Sequence, residues 1–534
     1  MIRFMKMPHS LYTKGYFVLL LLLGLLLVRD YGVTWDEPVD RLNGMVNYKY
    51  IAGRVAPEWA REQMAFANTP DFATHAENDH GPIFHLPLAV FEQQAVGSNS
   101  RLYYLVRHYC IFLVAVLGMW AVYRLGRLRF GSWRWGLLAS SLLLLSPRFF
   151  AESFNNGKDI VFMALFALGI YTLVRLLLRP TWGRALLHGL VTALATDVRI
   201  LGLLLFFITL AMLALEAGLA PGGAALRRRL LGQGALYALA AALFTVAGWP
   251  YLWEAPWANF LHAFRNMSQF RWNGPVVYLG EQIRAMELPW HYAPVWIVVT
   301  TPVAYTVAFV AGAGDIVASL LRGFGARLRT FEGRLDLLFL GWAVGPVGLI
   351  ILFDSVIYDG WRHLYFVYPG LLLVAVRGAH ALWLRGRGAR RFRQVALVLA
   401  AVAGAEGLLT LGRMVEAHPN QQVYFSFLPP AQAQRLFELD YWGASYRQGL
   451  EWILANDPAA SIPVYAAGPE LLDNGLSILK PEDRGRFRLA DAEQHRYYLS
   501  TYRFHPQPYT PEEVGWEVYA LRVNGVRILS VFRR

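Results

Sequence analysis

The sequence predicts a mainly α-helical, polytopic membrane protein that ends in a small extramembrane α/β module. Three observations predict it. Of 534 residues, 56% are apolar and only 16% charged, against about 25% charged in an average soluble domain. Leu-rich blocks long enough to cross hydrocarbon recur through residues 1–412 and stop there. The basic residues, 50 against 37 acidic for a net charge of +13, gather in short loops between alternate blocks. This composition excludes both an ordinary soluble enzyme and a disordered chain.

A helix rises about 1.5 Å per residue, so some 20 apolar residues span the hydrocarbon. Eleven stretches meet or approach that requirement: 15–28, 104–123, 135–145, 159–178, 185–196, 201–215, 234–249, 293–311, 337–353, 364–383 and 395–411. The first has no small-residue cleavage site and leads into a long polar loop, so it reads as a span and not a signal peptide. The third, fifth and sixth are short. Interrupted segments are tolerated where protein or a water-filled cavity surrounds them, so this region is expected to line a site.

Arg3, Lys6 and Lys14 precede or open the first stretch, and arginines follow the second, fourth, sixth, eighth and tenth, as at Arg124 to Arg134 and Arg385 to Arg393. By the positive-inside rule these loops are cytoplasmic, and eleven spans put the tail from residue 413 outside. The basic excess is then a topology signal, and a nucleic-acid partner loses its support. Cys110 is the only cysteine; it permits no intrachain disulfide and reads as a packing residue.

Residues 413–534 should form an α/β module large enough to fold alone. Residues 445–454 are amphipathic, 462–466 and 497–502 alternate like strands, and 517–523 with 526–532 flank Asn524-Gly525 as a hairpin.

Four outer segments hold nearly all the chemically interesting polar residues. The first, about 29–103, contains TWDEPVD (34–40) and HAENDHGPIFH (75–85). The others are SPRFFAESFNNGKD (146–159), a Trp-rich stretch from 248 to about 292 that includes FRWNG, and DSVIYDGWRH (354–363). Asp36 and Glu37 stand just beyond the first span, where a carboxylate can serve as a general base; the competing reading is a helix cap. Asp159 opens the fourth span beside Lys158, as a functional acid or as a charge favoured by the helix dipole. Arg362 and His363 suit a lipid phosphate, or else interfacial snorkelling. Arg199 is a second phosphate candidate, or a partner of Asp197. His75, Asp79, His80 and His85 match no strong zinc spacing. Trp272 and Tyr358 suit an interfacial belt or a sugar-stacking surface.

Taken in order, TWDEP, HGPIFHLPL, PRFFAESFNNGKDI, TDVR and YDGWRHLYFVYP resemble the GT-C glycosyltransferases, in particular bacterial relatives of the protein O-mannosyltransferases and of the aminoarabinose transferase acting on lipid A. The resemblance covers most of the membrane region. It implies an outward-facing cavity and inverting transfer of a sugar from a polyprenyl-phosphate donor to an envelope acceptor: a lipid, a glycan or a protein. It carries catalytic roles to Asp36, with Glu37 beside it, and to Asp159. It places donor phosphate at Arg362 and His363, with Lys158 and Arg199 as further cations; relatives often hold a Lys where Arg199 stands. His80, separated from Pro82 by Gly81, falls where the family has a His-Pro type motif, and together with Trp272 and Tyr358 is a candidate for acceptor or sugar binding. The resemblance requires no cofactor and leaves a divalent cation open, because the oligosaccharyl branch needs one. It locates the protein in the bacterial inner membrane with its site and tail in the periplasm. The FELDYWGASYRQGLEW stretch (437–452) is similar to the tails of these relatives. The competing classes are a flippase for lipid-linked glycans, which would need ionisable groups deep within spans, and a non-catalytic scaffold, which would not need acids and phosphate-binding groups gathered at one mouth.

Overall fold

The computed structural model describes residues 9–97, 99–219, 223–268, 272–503 and 505–534. Arg3 and Lys6, and Phe270 and Arg271 of FRWNG, lie outside the described residues. Among the described residues nine helices are long and apolar enough to cross a membrane, or ten if the pair Trp133–Leu144 and Pro147–Asn155, bent by 72°, is one span. The protein is therefore a multi-pass membrane protein. The last of these helices, Arg390–Glu416, has only 6% of its apolar window buried. In water a surface carrying Leu397, Val398, Leu408 and Leu409 more than half exposed is not tolerated, whereas in lipid it is ordinary.

The expected count of eleven is corrected in two places. The stretch 293–311 is no single helix: Tyr292–Thr300 ends before Pro302, and the span is Val303–Leu328, because proline lacks the N–H that would continue the ladder. The segment expected at 185–196 is the helix Trp182–Val198, 17 residues long and short of span length. It nevertheless runs antiparallel to the helix Asp159–Leu178 from end to end. Arg184 donates to the Arg175 carbonyl at 2.8 Å at one end, and Arg199 pairs with Asp159 at the other. The short third stretch is the first arm of the bent pair.

The C-terminal module is a five-stranded mixed sheet in the order β4-β3-β5-β7-β6, where β3 is Ile462–Ala466, β4 Phe487–Leu489, β5 Tyr497–Ser500, β6 Trp516–Val523 and β7 Val526–Arg533. A short hairpin of β1 (Pro275–Tyr278) and β2 (Glu281–Arg284) stands apart from it. The expected β6–β7 hairpin forms over Asn524 and Gly525, both at positive φ, as a two-residue turn requires. The helix Tyr446–Asn456 covers a core of its own with Leu450, Ile453, Val464, Leu499 and Val531. Other residues of the tail, Phe425, Phe437, Val523 and Ile528, join the main membrane core.

The tail and the first loop share one end of the molecule. Trp35 N–H donates to the Trp442 carbonyl at 3.1 Å, and Asn474 Nδ2 donates to the Thr34 carbonyl at 3.1 Å. Arg127, Arg129, Arg134, Arg175, Arg179 and Arg184 lie on helices and turns at the opposite end.

Candidate active site

Three segments meet where the first loop, the bent pair and the loop after the ninth apolar stretch (354–363) converge. The helix Asp36–Val55 begins after Trp35, which follows residues 31–34 of irregular backbone. Asn156 ends the second arm of the bent pair and caps the next helix. Its Oδ1 accepts from Asp159 N–H at 2.7 Å, and its Nδ2 donates to Asp159 Oδ2 at 3.1 Å and Glu152 Oε2 at 2.8 Å. Asp359 and Gly360, at φ 55° and 70°, turn the chain so that Arg362 follows at the head of a short 3-10 segment. Glycine is the residue that adopts this conformation without strain.

Arg362 is the hub. Its NH1 donates to Asp36 Oδ2 at 3.1 Å and Asp159 Oδ2 at 3.3 Å, and its NH2 to Asp359 Oδ2 at 3.2 Å. The guanidinium lies over the rings of Tyr358 at 5.1 Å and Trp442 at 5.0 Å. Arg362 and Asp159 are buried, whereas the Asp36 side chain keeps 28% of its surface open. Arg199 completes the group through its ion pair with Asp159. Lys158 approaches from the first-loop side, bonded to Asp40 Oδ1 at 3.0 Å.

An aromatic wall backs the hub. Trp272 faces Tyr358 at 4.4 Å and Tyr358 faces His363 at 4.8 Å. His80 stands at the edge, paired with Glu77 at 2.9 Å and Asp79 at 3.1 Å. Asp36, Asp159, Arg362, Arg199, Lys158, His363, Tyr358 and Trp272 are thus brought together.

Glu37 is not. It reaches back to the Thr34 N–H at 2.8 Å and hydroxyl at 3.2 Å, and its other oxygen takes Arg107 at 3.3 Å and His108 at 2.9 Å. Successive helical residues point about 100° apart, so Asp36 and Glu37 cannot serve one site. The structure makes Glu37 a brace of the loop helix in place of the catalytic position expected beside Asp36.

The electrostatics follow from burial and partners. Burial raises the Asp36 carboxyl above its ordinary value against the pull of Arg362 and Lys158. Burial also opposes the charge of Asp40, but His85, Lys158 and Arg107 outweigh it and hold that carboxyl well below the usual range. Lys158 is likewise opposed by burial, yet Asp40 and Asp36 keep it above the ordinary lysine value. Burial pushes the Tyr358 hydroxyl up to about 12. A carboxylate with a raised pKa beside fixed cations can accept a proton while an anion is held next to it.

Asp40, Asp359 and Arg503 complete the arrangement and were not among the expected site residues. Asp40 lies one helical turn after Asp36, so an i, i+4 reading of TWDEPVD points to it. Arg503 carries no local signal; it reaches Asp359 at 2.8 Å from 144 residues downstream. Among the described residues no group of three or more His, Cys, Asp or Glu is placed to hold a metal ion.

Residues 100–251, which include Lys158, Asp159 and Arg199, match the model of a family described as dolichyl-phosphate-mannose-protein mannosyltransferase. The chain shares its fold with the crystal structure of ArnT from Cupriavidus metallidurans in the apo state, at 13% identity and a TM-score of 0.50 over 97% of this chain and 98% of that one. Similarity also extends to the same protein bound to undecaprenyl phosphate, at 12% identity and a TM-score of 0.47 over 97% and 98% of the two chains. The archaeal oligosaccharyltransferase AglB from Archaeoglobus fulgidus, in complex with an inhibitory peptide and a dolichol-phosphate, matches at 12% identity and a TM-score of 0.44 over 92% of this chain and 70% of that one. Curated protein sequences give no match. The motif resemblance is borne out in the fold and, over residues 100–251, in the sequence.

Proposed function

We propose that this GT-C-type membrane glycosyltransferase moves a sugar, with inversion, from a polyprenyl-phosphate donor to a cell-envelope acceptor. The observation that carries the reading is Arg362 bridging Asp36 and Asp159 at the membrane mouth. The family description, which names a phosphate-linked lipid mannose donor, supports the donor class. The site is assigned to the periplasmic face of a bacterial inner membrane, supported by the arginines at the opposite end of the helices. The acceptor class is a lipid, glycan or protein hydroxyl or amine.

In the reaction the acceptor oxygen or nitrogen attacks the anomeric carbon from the face opposite the phosphate. The bond from that carbon to the phosphate oxygen breaks, and its electron pair leaves on the phosphate. Asp36 takes the acceptor proton as the new bond forms. Arg362, with Arg199 and Lys158 beside it, neutralises the charge that develops on the leaving phosphate, an arrangement most effective when built in advance. Asp159 holds Arg362 and Arg199 in register. Trp272, Tyr358 and His363 offer a surface for the sugar. One displacement gives inversion with no covalent enzyme intermediate, and these cations supply the countercharge without a metal.

Asp36→Asn tests the assignment. It keeps the shape and removes the base, so transfer of sugar in detergent solution should fall by at least about 100-fold while binding of polyprenyl phosphate stays within a few fold. Undiminished transfer by this variant would remove Asp36 from the mechanism.

A further inference from the structure

Asp359 stands between two arginines that come from different parts of the fold. Its Oδ2 accepts from Arg362 NH2 at 3.2 Å and its Oδ1 from Arg503 NH2 at 2.8 Å. Arg362 belongs to the membrane helices, whereas Arg503 comes from the C-terminal module just past β5. Arg503 is well seated there. Its side chain is 9% exposed, it donates to the Tyr441 carbonyl, and it lies over the Trp272 ring at 5.8 Å. A second acid near it, Glu438, is pushed up by burial against the pull of Arg503.

This arrangement matters because both terminal nitrogens of Arg362 are already engaged, NH1 by Asp36 and Asp159 and NH2 by Asp359, while its buried Nε has no hydrogen-bond partner among the described residues. A phosphate that reaches the terminal nitrogens therefore competes with carboxylates for them. A carboxylate shared between two guanidinium groups holds each more weakly than a bidentate pair holds one. The backbone of Asp359 is held close to Arg362 by the positive-φ turn it forms with Gly360, so where its carboxylate rests depends on the two arginines it is shared between.

We propose that Arg503 is a positioning residue for the donor: by drawing on the Asp359 carboxylate from the C-terminal module, it keeps the NH2 edge of Arg362 available to an incoming lipid phosphate. The module thereby sets donor affinity without touching the reacting atoms. This inference rests on the donor reading above. Remove Arg503, and Asp359 keeps one cation only, closes on Arg362, and leaves an uncompensated negative charge beside the phosphate position.

The test is equilibrium binding of a sugar-free polyprenyl monophosphate to the full-length protein in detergent micelles, followed by tryptophan fluorescence. Arg503→Gln should weaken binding about tenfold, the scale of one charge-assisted hydrogen bond. Arg503→Lys, which retains the charge, should stay within about threefold. Asp359→Asn should bind at least as tightly as the unaltered protein, and asparagine tolerates the positive φ of that position. The decisive variant combines Arg503→Gln with Asp359→Asn. If Arg503 acts by holding Asp359, the double variant returns to the Asp359→Asn value, a non-additivity expected of coupled residues. With the sugar-loaded donor, Arg503→Gln should raise KM while kcat stays within about threefold. A double variant as weak as Arg503→Gln alone, or an Arg503→Gln protein that binds normally, overturns the inference and leaves the donor reading standing. Failure of the unaltered protein to bind any polyprenyl monophosphate overturns both.

Discussion

Replacing Arg362 with lysine is the sharpest probe of the hub, because it keeps the charge and removes the shape. The guanidinium makes three carboxylate contacts through two nitrogens, at 3.1, 3.3 and 3.2 Å, and stacks between Tyr358 and Trp442. An ammonium group is a compact point charge on a flexible stem; it can serve one or two of these acids and stacks on neither ring as a plane. Losing one or two hydrogen bonds to charged groups in a buried setting costs about 2–4 kcal/mol, which corresponds to a fall of about 30- to 900-fold in kcat/KM. The assay is transfer from a labelled polyprenyl-phosphate sugar by purified protein in detergent, with kcat and KM measured separately. Because Asp36 and Asp159 are aligned by the same nitrogen, the loss should appear mainly in kcat. An Arg362→Lys protein within about threefold of the unaltered enzyme would refute the reasoning, since charge alone would then suffice.

The raised Asp36 carboxyl should set the acid limb of the kcat/KM profile. The base works only when ionised, so activity should disappear as pH falls through a value above the ordinary carboxylate range, and a limb at or below that range would contradict the assignment. Asp40 has the opposite sign: its folded carboxyl is depressed, so it contributes stability that is present above the ordinary carboxylate value and is lost as pH falls toward its folded one. Asp40→Asn should therefore blunt acid destabilisation in a thermal melt. Glu37→Gln leaves Arg107, which is fully buried, without one of its counter-charges; a loss of about 3–5 kcal/mol is typical of breaking such a pair, and an unchanged Tm would show that the brace is dispensable. Transfer should persist in excess EDTA, because Arg362, Arg199 and Lys158 supply the countercharge; loss of activity restored by a divalent cation would show otherwise.

The membrane architecture was legible because hydropathy is a local property, and so is a two-residue turn: the apolar blocks and Asn524-Gly525 announce themselves over a few neighbours. What failed was boundary detail. A continuous apolar run from 293 to 311 conceals the interruption at Pro302, since hydropathy does not register a missing N–H. The site was half legible. TWDEP, NGKD and DGWRH mark the three segments that converge, but a motif does not state direction, and so Glu37 read as a companion of Asp36 until the helix placed them on different faces. Asp40 was within reach of a periodicity argument. Arg503 was not, because it becomes part of the site only through tertiary contact, on a turn beyond β5 with no distinctive sequence around it.

The contacts that bind the first loop to the tail also impose an order on biosynthesis. Asp36 leaves the ribosome before the helices that follow it and Arg503 after them, and Trp35 meets Trp442 only after every intervening helix has been inserted. The site is therefore assembled after those helices. A chain cut short after Glu416 would hold every span-length helix found among the described residues and still lack the Trp442 face over Arg362 and the second cation on Asp359, so synthesis through Arg503 is itself a condition for competence.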